Sequence, residues 1–391
     1  MGKRILILSA SVGAGHIRAA EALKEAFMEL DPQGEVVALD FLRHFNWYFG
    51  RMVEEAYYAA TRHVPRAYKF LYDLQEFPPA MRLKNLQGYL GVSRLVELFE
   101  ELRPDAVVCT HFFPAGVVSQ LMDAALGKTR LALRESVARV ARGLVPLPRL
   151  RAVVLTDYVS HPFWLYSHID LYFVAHEEMR QELIASGIPP ESVYSTGIPI
   201  RRAFSALPDR AALRRAHLAR PDWPLILVAS GGHGIGPFSQ IVAALNRTRG
   251  DFQVAIVTGK NPRLEARLRR LTQHSPVPMQ VLGFVQNIHE WMAMADLLIS
   301  KAGGLTVSEA LAAKLPMIIV RPTPGQEVGN TAYLLEHGAA CYLEELADLP
   351  QFLALLLRNP ECLERMRAAA EKIARPQAAR DVAALVLSRL S

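Results

Sequence analysis

Residues 4–16 read Arg4-Ile5-Leu6-Ile7-Leu8-Ser9-Ala10-Ser11-Val12-Gly13-Ala14-Gly15-His16, and residues 225–236 read Leu225-Ile226-Leu227-Val228-Ala229-Ser230-Gly231-Gly232-His233-Gly234-Ile235-Gly236. Each begins with a run of apolar, partly β-branched residues that does not alternate with polar ones. A strand of that kind is buried on both faces, the condition of a parallel sheet covered by helices. Each run then passes through glycines into a helical pattern. The same opening occurs twice, and it predicts two doubly wound α/β domains rather than one.

Working outward, further short apolar runs sit between helical segments. They are Glu35–Asp40, Ala106–Thr110, Ala152–Thr156 and Leu171–Val174, then Gln253–Thr258, Met279–Leu282, Leu297–Ser300 and Met317–Val320. Pro199, Pro208, Pro221 and Pro224 surround a basic helical piece, Arg210–Ala219, and mark Pro199–Pro224 as a linker. The expected division is residues 1–200, residues 201–375, and a C-terminal helix within residues 376–391. Two such domains facing each other leave a cleft at the carboxyl ends of their strands, where open α/β sheets place ligands.

The 391 residues are 51% hydrophobic and 21% charged, which supports two cores and excludes a disordered chain. Three cysteines without a CxxC or Cys/His spacing argue against structural zinc and for a reducing compartment. Ile5–Leu8 is too short for a signal sequence, and no stretch of about 18 uncharged apolar residues is present to span a bilayer. A net charge of +6 suits an anionic partner (nucleic acid, anionic lipid or a phosphorylated substrate) but also an ordinary basic soluble protein.

Four turns carry candidate chemistry. In the first, Gly13 and Gly15 permit a tight turn before His16, which opens a helix. A dinucleotide fingerprint needs a third glycine where Arg18 stands, so the nicotinamide reading is weak. His16 is either a structural histidine or a general base of suitable pKa. The second turn, with Gly232 and His233, suits backbone donation to phosphate, as does any tight βα turn. The third is Lys301-Ala302-Gly303-Gly304-Leu305-Thr306-Val307-Ser308-Glu309, where glycines expose amides at a helix start. Glu309 there is either an acceptor for two ribose hydroxyls or an acid favourable to the helix dipole. The fourth, Pro322 to Asn330, gathers Gln326, Glu327 and Asn330, a set fit for sugar hydroxyls. No Asp-x-Asp occurs anywhere in the chain, so metal-free handling of a diphosphate is expected.

Two segments stand apart. Phe41–Phe77 holds 11 of the 32 aromatics, Trp47 and Tyr48 among them, interleaved with basic residues. Lys128–Arg151 carries seven basic residues, including Arg134, Arg139 and Arg142, against one acid, with apolar residues between. Both are candidate membrane contacts; the alternative is a core of aromatics with a solvated basic face.

Taken in order, these blocks resemble the bacterial diacylglycerol glucosyltransferases and plant monogalactosyldiacylglycerol synthases, of glycosyltransferase family 28 type. More distantly they resemble the peptidoglycan transferase that adds N-acetylglucosamine to lipid I. The resemblance runs through Gly13-Ala14-Gly15-His16, Leu155-Thr156-Asp157-Tyr158, Thr196 to Arg201, Gly231 to Gly234, Lys301 to Thr306 and Pro324 to Asn330. It implies a GT-B fold, two Rossmann-like domains facing across a cleft, a UDP-glucose or UDP-galactose donor, and inversion at the anomeric carbon. His16 is then the leading base, with Asp157 a partner or rival. Gly232 and His233 lie beside the donor, and the turn holding Phe284 and Val285 cradles uracil. Gly304, Leu305 and Thr306 face the diphosphate, Glu309 holds ribose, and Gln326, Glu327 and Asn330 read the sugar. The family often has proline where Arg202 stands, and the Lys128–Arg151 stretch is longer and more basic than its counterpart.

The reading is an inverting hexosyltransferase acting on diacylglycerol, peripheral at the cytoplasmic side of the cell membrane and bound to anionic lipids. No cofactor, metal or nucleic acid is expected. The alternatives are transfer of N-acetylglucosamine to an isoprenoid-linked acceptor, a sugar-nucleotide epimerase of the same fold, and a non-catalytic anionic-lipid-binding module.

Overall fold

The two runs form strands in two separate six-stranded sheets, parallel throughout. The computed structural model describes residues 2–11, 13–45, 91–128 and 135–391. The chain divides into one unit of residues 1–202 with 377–391 and a second of residues 203–376.

In the first unit, β1 (Arg4–Ser9), β2 (Glu35–Asp40), β3 (Ala106–Cys109), β4 (Leu150–Val154), β5 (Leu171–Phe173) and β6 (Val193–Tyr194) lie in the order β2-β1-β3-β4-β5-β6. Chain order reverses between β1 and β3, which pair with Leu8 beside Cys109. β1 is followed by helix Ala14–Leu30, whose buried face of Ala19, Ala20, Ala22, Leu23, Ala26 and Phe27 is mostly small residues that let it lie close on the sheet. The last helix, Ala378–Arg389, packs on that same helix, and Val382, Ala383 and Val386 are fully buried in the shared core. Lys3 Nζ donates to the Leu390 carbonyl at 2.7 Å, satisfying one of the acceptors a helix end leaves open.

In the second unit, β7 (Leu225–Ala229), β8 (Gln253–Val257), β9 (Met279–Leu282), β10 (Leu297–Ser300), β11 (Met317–Val320) and β12 (Ala340–Leu343) lie in the order β12-β11-β10-β7-β8-β9, reversing between β7 and β10. The basic piece predicted as linker belongs to this unit. Helix Arg210–His217 packs on helix Ile288–Met294 and delivers Arg210 and Arg214 to Asp296. Arg214 reaches Asp296 at 3.0 Å, Arg367 at 2.9 Å, and the Leu225 amide at 2.9 Å. Burial opposes the charged form of Asp296, yet the guanidinium of Arg210, the Leu225 amide and Arg214 hold its carboxyl below the usual range. Asp296 also donates its own amide to Leu225 O, so β7 and β10 are clamped at their amino ends.

The strand starts and lengths match the predicted runs closely, with two additions at sheet edges, β6 and β12, and one shift. β4 begins at Leu150 instead of Ala152, because Arg151 is tied to Asp170 at 2.6 Å and sits within a strand despite its charge. Among the described residues no helix is long and apolar enough to cross a membrane.

Candidate active site

The rule for open α/β sheets points to the carboxyl ends of the strands where strand order reverses. In the first unit that is the end of β1 and β3, and His16 is there. Gly13 takes φ +88°, a left-handed conformation open to glycine, and turns the chain from β1 into helix Ala14–Leu30. This places the half-buried His16 ring over the end of β3, where Nδ1 lies 2.8 Å from the Thr110 carbonyl and 2.8 Å from Thr156 Oγ1. A carbonyl only accepts, so Nδ1 carries the ring proton and Nε2 keeps a lone pair with no hydrogen-bond partner among the described residues. Thr110 Oγ1 donates back to the His16 carbonyl at 2.9 Å. Burial lowers the His16 pKa from 6.5 to about 4, against the smaller raising effect of the Thr110 carbonyl. The imidazole is therefore neutral near pH 7, in the tautomer that can accept a proton.

His111 stands edge-on to His16 with ring centroids 4.5 Å apart. It caps helix Phe112–Ala125 by accepting the Phe113 amide at Nδ1, and burial, then the neighbouring His16, lowers its pKa well below 6.5. Trp164 and Phe112 line the same corner. Asp157, expected as partner or rival of His16, is half-buried, but the ring nitrogen is held by the residue before it, Thr156, and by Thr110. Sequence reasoning gave neither threonine a role: Thr110 follows β3, which pairs with β1, and Thr156 follows β4, which pairs with β3, and a linear reading does not supply these adjacencies.

The basic stretch divides. Arg134 lies outside the described residues, as do Trp47 and Tyr48. Helix Glu135–Ala141 turns Val137 and Val140 into the unit, so its apolar face is core and not a membrane face. Outward lie Lys128 and Arg149, with Arg139, paired with Glu100, Arg142, 3.6 Å from Glu135, and Leu144, 62% exposed.

In the second unit the reversal point lies at the ends of β7 and β10. After β7, the turn carrying Gly232 and His233 interlocks with the turn after β8. Lys260 N donates to Gly232 O at 2.9 Å, and Gly234, at φ +59°, lies so close to Thr258 that an added Cβ would stand 2.0 Å from its carbonyl oxygen. Lys260 Nζ sits 5.2 Å over the ring of Phe284, which is 46% exposed after β9, with Val285 half-buried beside it.

After β10, Gly303 stands at the N-cap of helix Gly304–Ala312 and offers no capping side chain, and the first turn holds no acid. The amides of Gly304, Leu305 and Thr306 thus point forward at the positive end of the helix dipole. Glu309 lies in the second turn and is 3% exposed, so it is not a first-turn acid placed to balance the helix dipole. After β11, Asn330 is fully buried and donates to Ala302 O at 2.8 Å, fixing the fourth turn against the third. Glu327 accepts from Lys301 Nζ at 3.4 Å and from the Thr323 amide at 2.5 Å. Gln326 has a buried side-chain oxygen with no donor among the described residues. Of the predicted donor residues, the structure gathers Gly304, Leu305, Thr306, Gln326, Glu327 and Asn330 around two adjoining turns. Lys301 and Thr323 are additions.

Two family models match the chain. Residues 16–132 and 141–200 match monogalactosyldiacylglycerol (MGDG) synthase, and residues 225–383 match the glycosyltransferase family 28 C-terminal domain. A processive diacylglycerol beta-glucosyltransferase of Bacillus cytotoxicus is 28% identical over 98% of this chain and 93% of its own length. Its counterpart from Bacillus subtilis is 29% identical over 93% of this chain and 90% of its own length. Among solved structures, Acinetobacter baumannii MurG aligns with a TM-score of 0.58 at 17% identity over 99% of both chains. A UDP complex of S. aureus MnaA aligns at 0.61 and 14% identity over 100% of this chain and 97% of its own. These likenesses give each unit the Rossmann-like architecture of the GT-B fold. With an MGDG synthase match on the first unit, a family 28 match on the second and relatives that align over nearly its whole length, the chain is similar throughout to the diacylglycerol glucosyltransferases and monogalactosyldiacylglycerol synthases.

Proposed function

We propose that the chain transfers a hexose from a UDP-sugar to the hydroxyl of diacylglycerol, with inversion, giving a β-glycosyl diacylglycerol. The carrying observation is His16, held neutral at the reversal point of its sheet with Nε2 unpaired among the described residues. The acceptor class follows the printed names of the relatives, and glucose is the first donor to test on the same ground.

In this mechanism the acceptor hydroxyl attacks C1 of the donor sugar as the bond to UDP breaks. Nε2 of His16 takes the hydroxyl proton, and the Thr110 carbonyl and Thr156 hydroxyl, already on Nδ1, stabilise the imidazolium. Charge developing on UDP is met by the amides of Gly304, Leu305 and Thr306. Glu309 takes the ribose hydroxyls, and the Gln326, Glu327 and Asn330 turn takes the sugar. Phe284 and Val285 carry the uracil. No metal is assigned a role, in keeping with the lack of Asp-x-Asp in the sequence.

Arg139, Arg142 and exposed Leu144 support peripheral attachment to anionic lipid on the cytoplasmic face, each basic residue near such a surface adding roughly 1 kcal/mol.

The test supplies purified protein with diacylglycerol in anionic vesicles, radiolabelled UDP-glucose or UDP-galactose in separate tubes, and chelator in a matched pair. Label entering the lipid from one donor supports the reading and names the sugar. Label lost with chelator overturns the metal-free mechanism. Absence of lipid label from either donor, with or without chelator, overturns diacylglycerol as acceptor.

A further inference from the structure

The carboxylate of Glu327 sits beside the amides proposed to bind a diphosphate. A Cβ placed on Gly303 would lie 3.8 Å from Glu327 Oε1, and no other atom outside its own chain neighbours comes within 4 Å. An acidic side chain there repels the ligand that the helix end attracts. The structure carries the compensation. Lys301, the first residue after β10, donates from Nζ to Thr323 Oγ1 at 2.9 Å and to Glu327 Oε1 at 3.4 Å. The other carboxylate oxygen takes the Thr323 amide. Lysine and glutamate side chains are 19% and 14% exposed, so solvent screens this pair little. Next to it, Gln326 holds a buried oxygen that lacks a donor among the described residues, such as a hydroxyl-bearing ligand would supply.

We propose that Lys301 is a positioning residue: through Glu327 it cancels negative charge beside the donor diphosphate and fixes the carboxylate for the sugar hydroxyls. The proposal rests on the UDP-sugar reading above and adds a division of labour to it. With the lysine in place, a neutral pair faces the diphosphate and a preset acceptor faces the sugar. With the lysine gone, the same carboxylate keeps only the Thr323 amide and its charge is uncompensated. Arginine at this position would keep both functions, since its fork also bonds carboxylate.

The experiment is calorimetric titration of the full chain with UDP and, separately, with UDP-glucose, on wild type, Lys301→Met, Lys301→Arg, Glu327→Gln, the Lys301→Met/Glu327→Gln double variant and Thr323→Val. Lys301→Met is expected to weaken both ligands by about tenfold or more, the usual scale for removing one member of a poorly screened pair. In the Glu327→Gln background the same lysine change is expected to cost UDP less than about twofold, because no charge remains to cancel. Lys301→Arg restores binding. Thr323→Val, which changes no charge, weakens UDP-glucose and spares UDP, and keeps the test alive should Lys301→Met fail to fold. Equal losses from Lys301→Met in both backgrounds overturn the positioning role in favour of direct lysine contact with the ligand. Wild-type binding with Lys301→Met unchanged overturns the proposal alone. A wild-type chain that binds neither ligand overturns the donor reading and the proposal with it.

Discussion

Lowering the pH separates a buried histidine base from a solvated one. The His16 pKa in the folded chain is about 4, against 6.5 when exposed. Above pH 6.5 the ring is neutral both folded and unfolded, so it adds no pH dependence. As pH falls below 6.5 the unfolded chain takes up a proton that the folded ring refuses, and stability falls by about 1.36 kcal/mol per pH unit until about pH 4. Between pH 6.5 and 5 this site alone therefore removes about 2 kcal/mol. Urea unfolding of wild type and His16→Ala at pH 7 and pH 5 measures it. The variant should lose less stability over that interval by about this amount, the slope it retains including the contribution of His111. Catalysis gives an independent reading. His16→Ala should lower kcat by about 10²–10⁴-fold with little change in the UDP-sugar KM. For wild type, kcat/KM should stay level from pH 8 to pH 5, since the base remains unprotonated. An acid limb centred near pH 6.5 would show that the ring is solvated in the working enzyme and that its burial has been misjudged. Equal pH sensitivity of the two proteins in urea would refute the stability argument in the same way.

Two further outcomes test the second unit. Gly234→Ala should cost about 2–4 kcal/mol, from a left-handed residue and a Cβ driven into the Thr258 carbonyl, whereas Gly231→Ala, equally left-handed at φ +57° but facing open space, should cost about 1–2; equal urea midpoints for the two would refute the interlocked turns. Asp296→Ala should remove roughly 3 kcal/mol by leaving Arg210, Arg214 and Arg367 facing one another, and a calorimetric transition unchanged from wild type would show the clamp to be incidental.

The sheets were readable because strands buried on both faces leave uninterrupted apolar runs, and Arg4–Ser9 and Leu297–Ser300 are such runs. β6 has two residues, and β12 is an edge strand whose Tyr342 is 43% exposed, so neither leaves that trace. Arg210–His217 was taken for linker because of its arginines and the prolines on either side of it; Arg210 and Arg214 are in fact spent on one largely buried carboxylate far along the chain. The glycine turns were equally legible, since a helix start stripped of side chains shows as paired glycines. What holds the side chains at those turns was not. Thr110, Thr156, Thr323 and Lys301 act across strands that are neighbours only in the folded sheet, and a spacing along the chain contains no record of them. Amphipathic spacing also misled: Val137 and Val140 have the period of a surface face, yet the periodicity says only that one side is buried, not whether protein or lipid buries it.

Residues 377–391 close the core that helix Ala14–Leu30 begins. On the ribosome that sets an order. The first unit emerges early but lacks Val382, Ala383 and Val386, while the whole of residues 203–376, one continuous stretch, is synthesised in between. At ordinary elongation rates the wait is on the order of tens of seconds, long beside the folding of a single domain. The unit made second can therefore finish first, and the nascent first unit passes that interval with the apolar back of helix Ala14–Leu30 uncovered, a natural client for a chaperone.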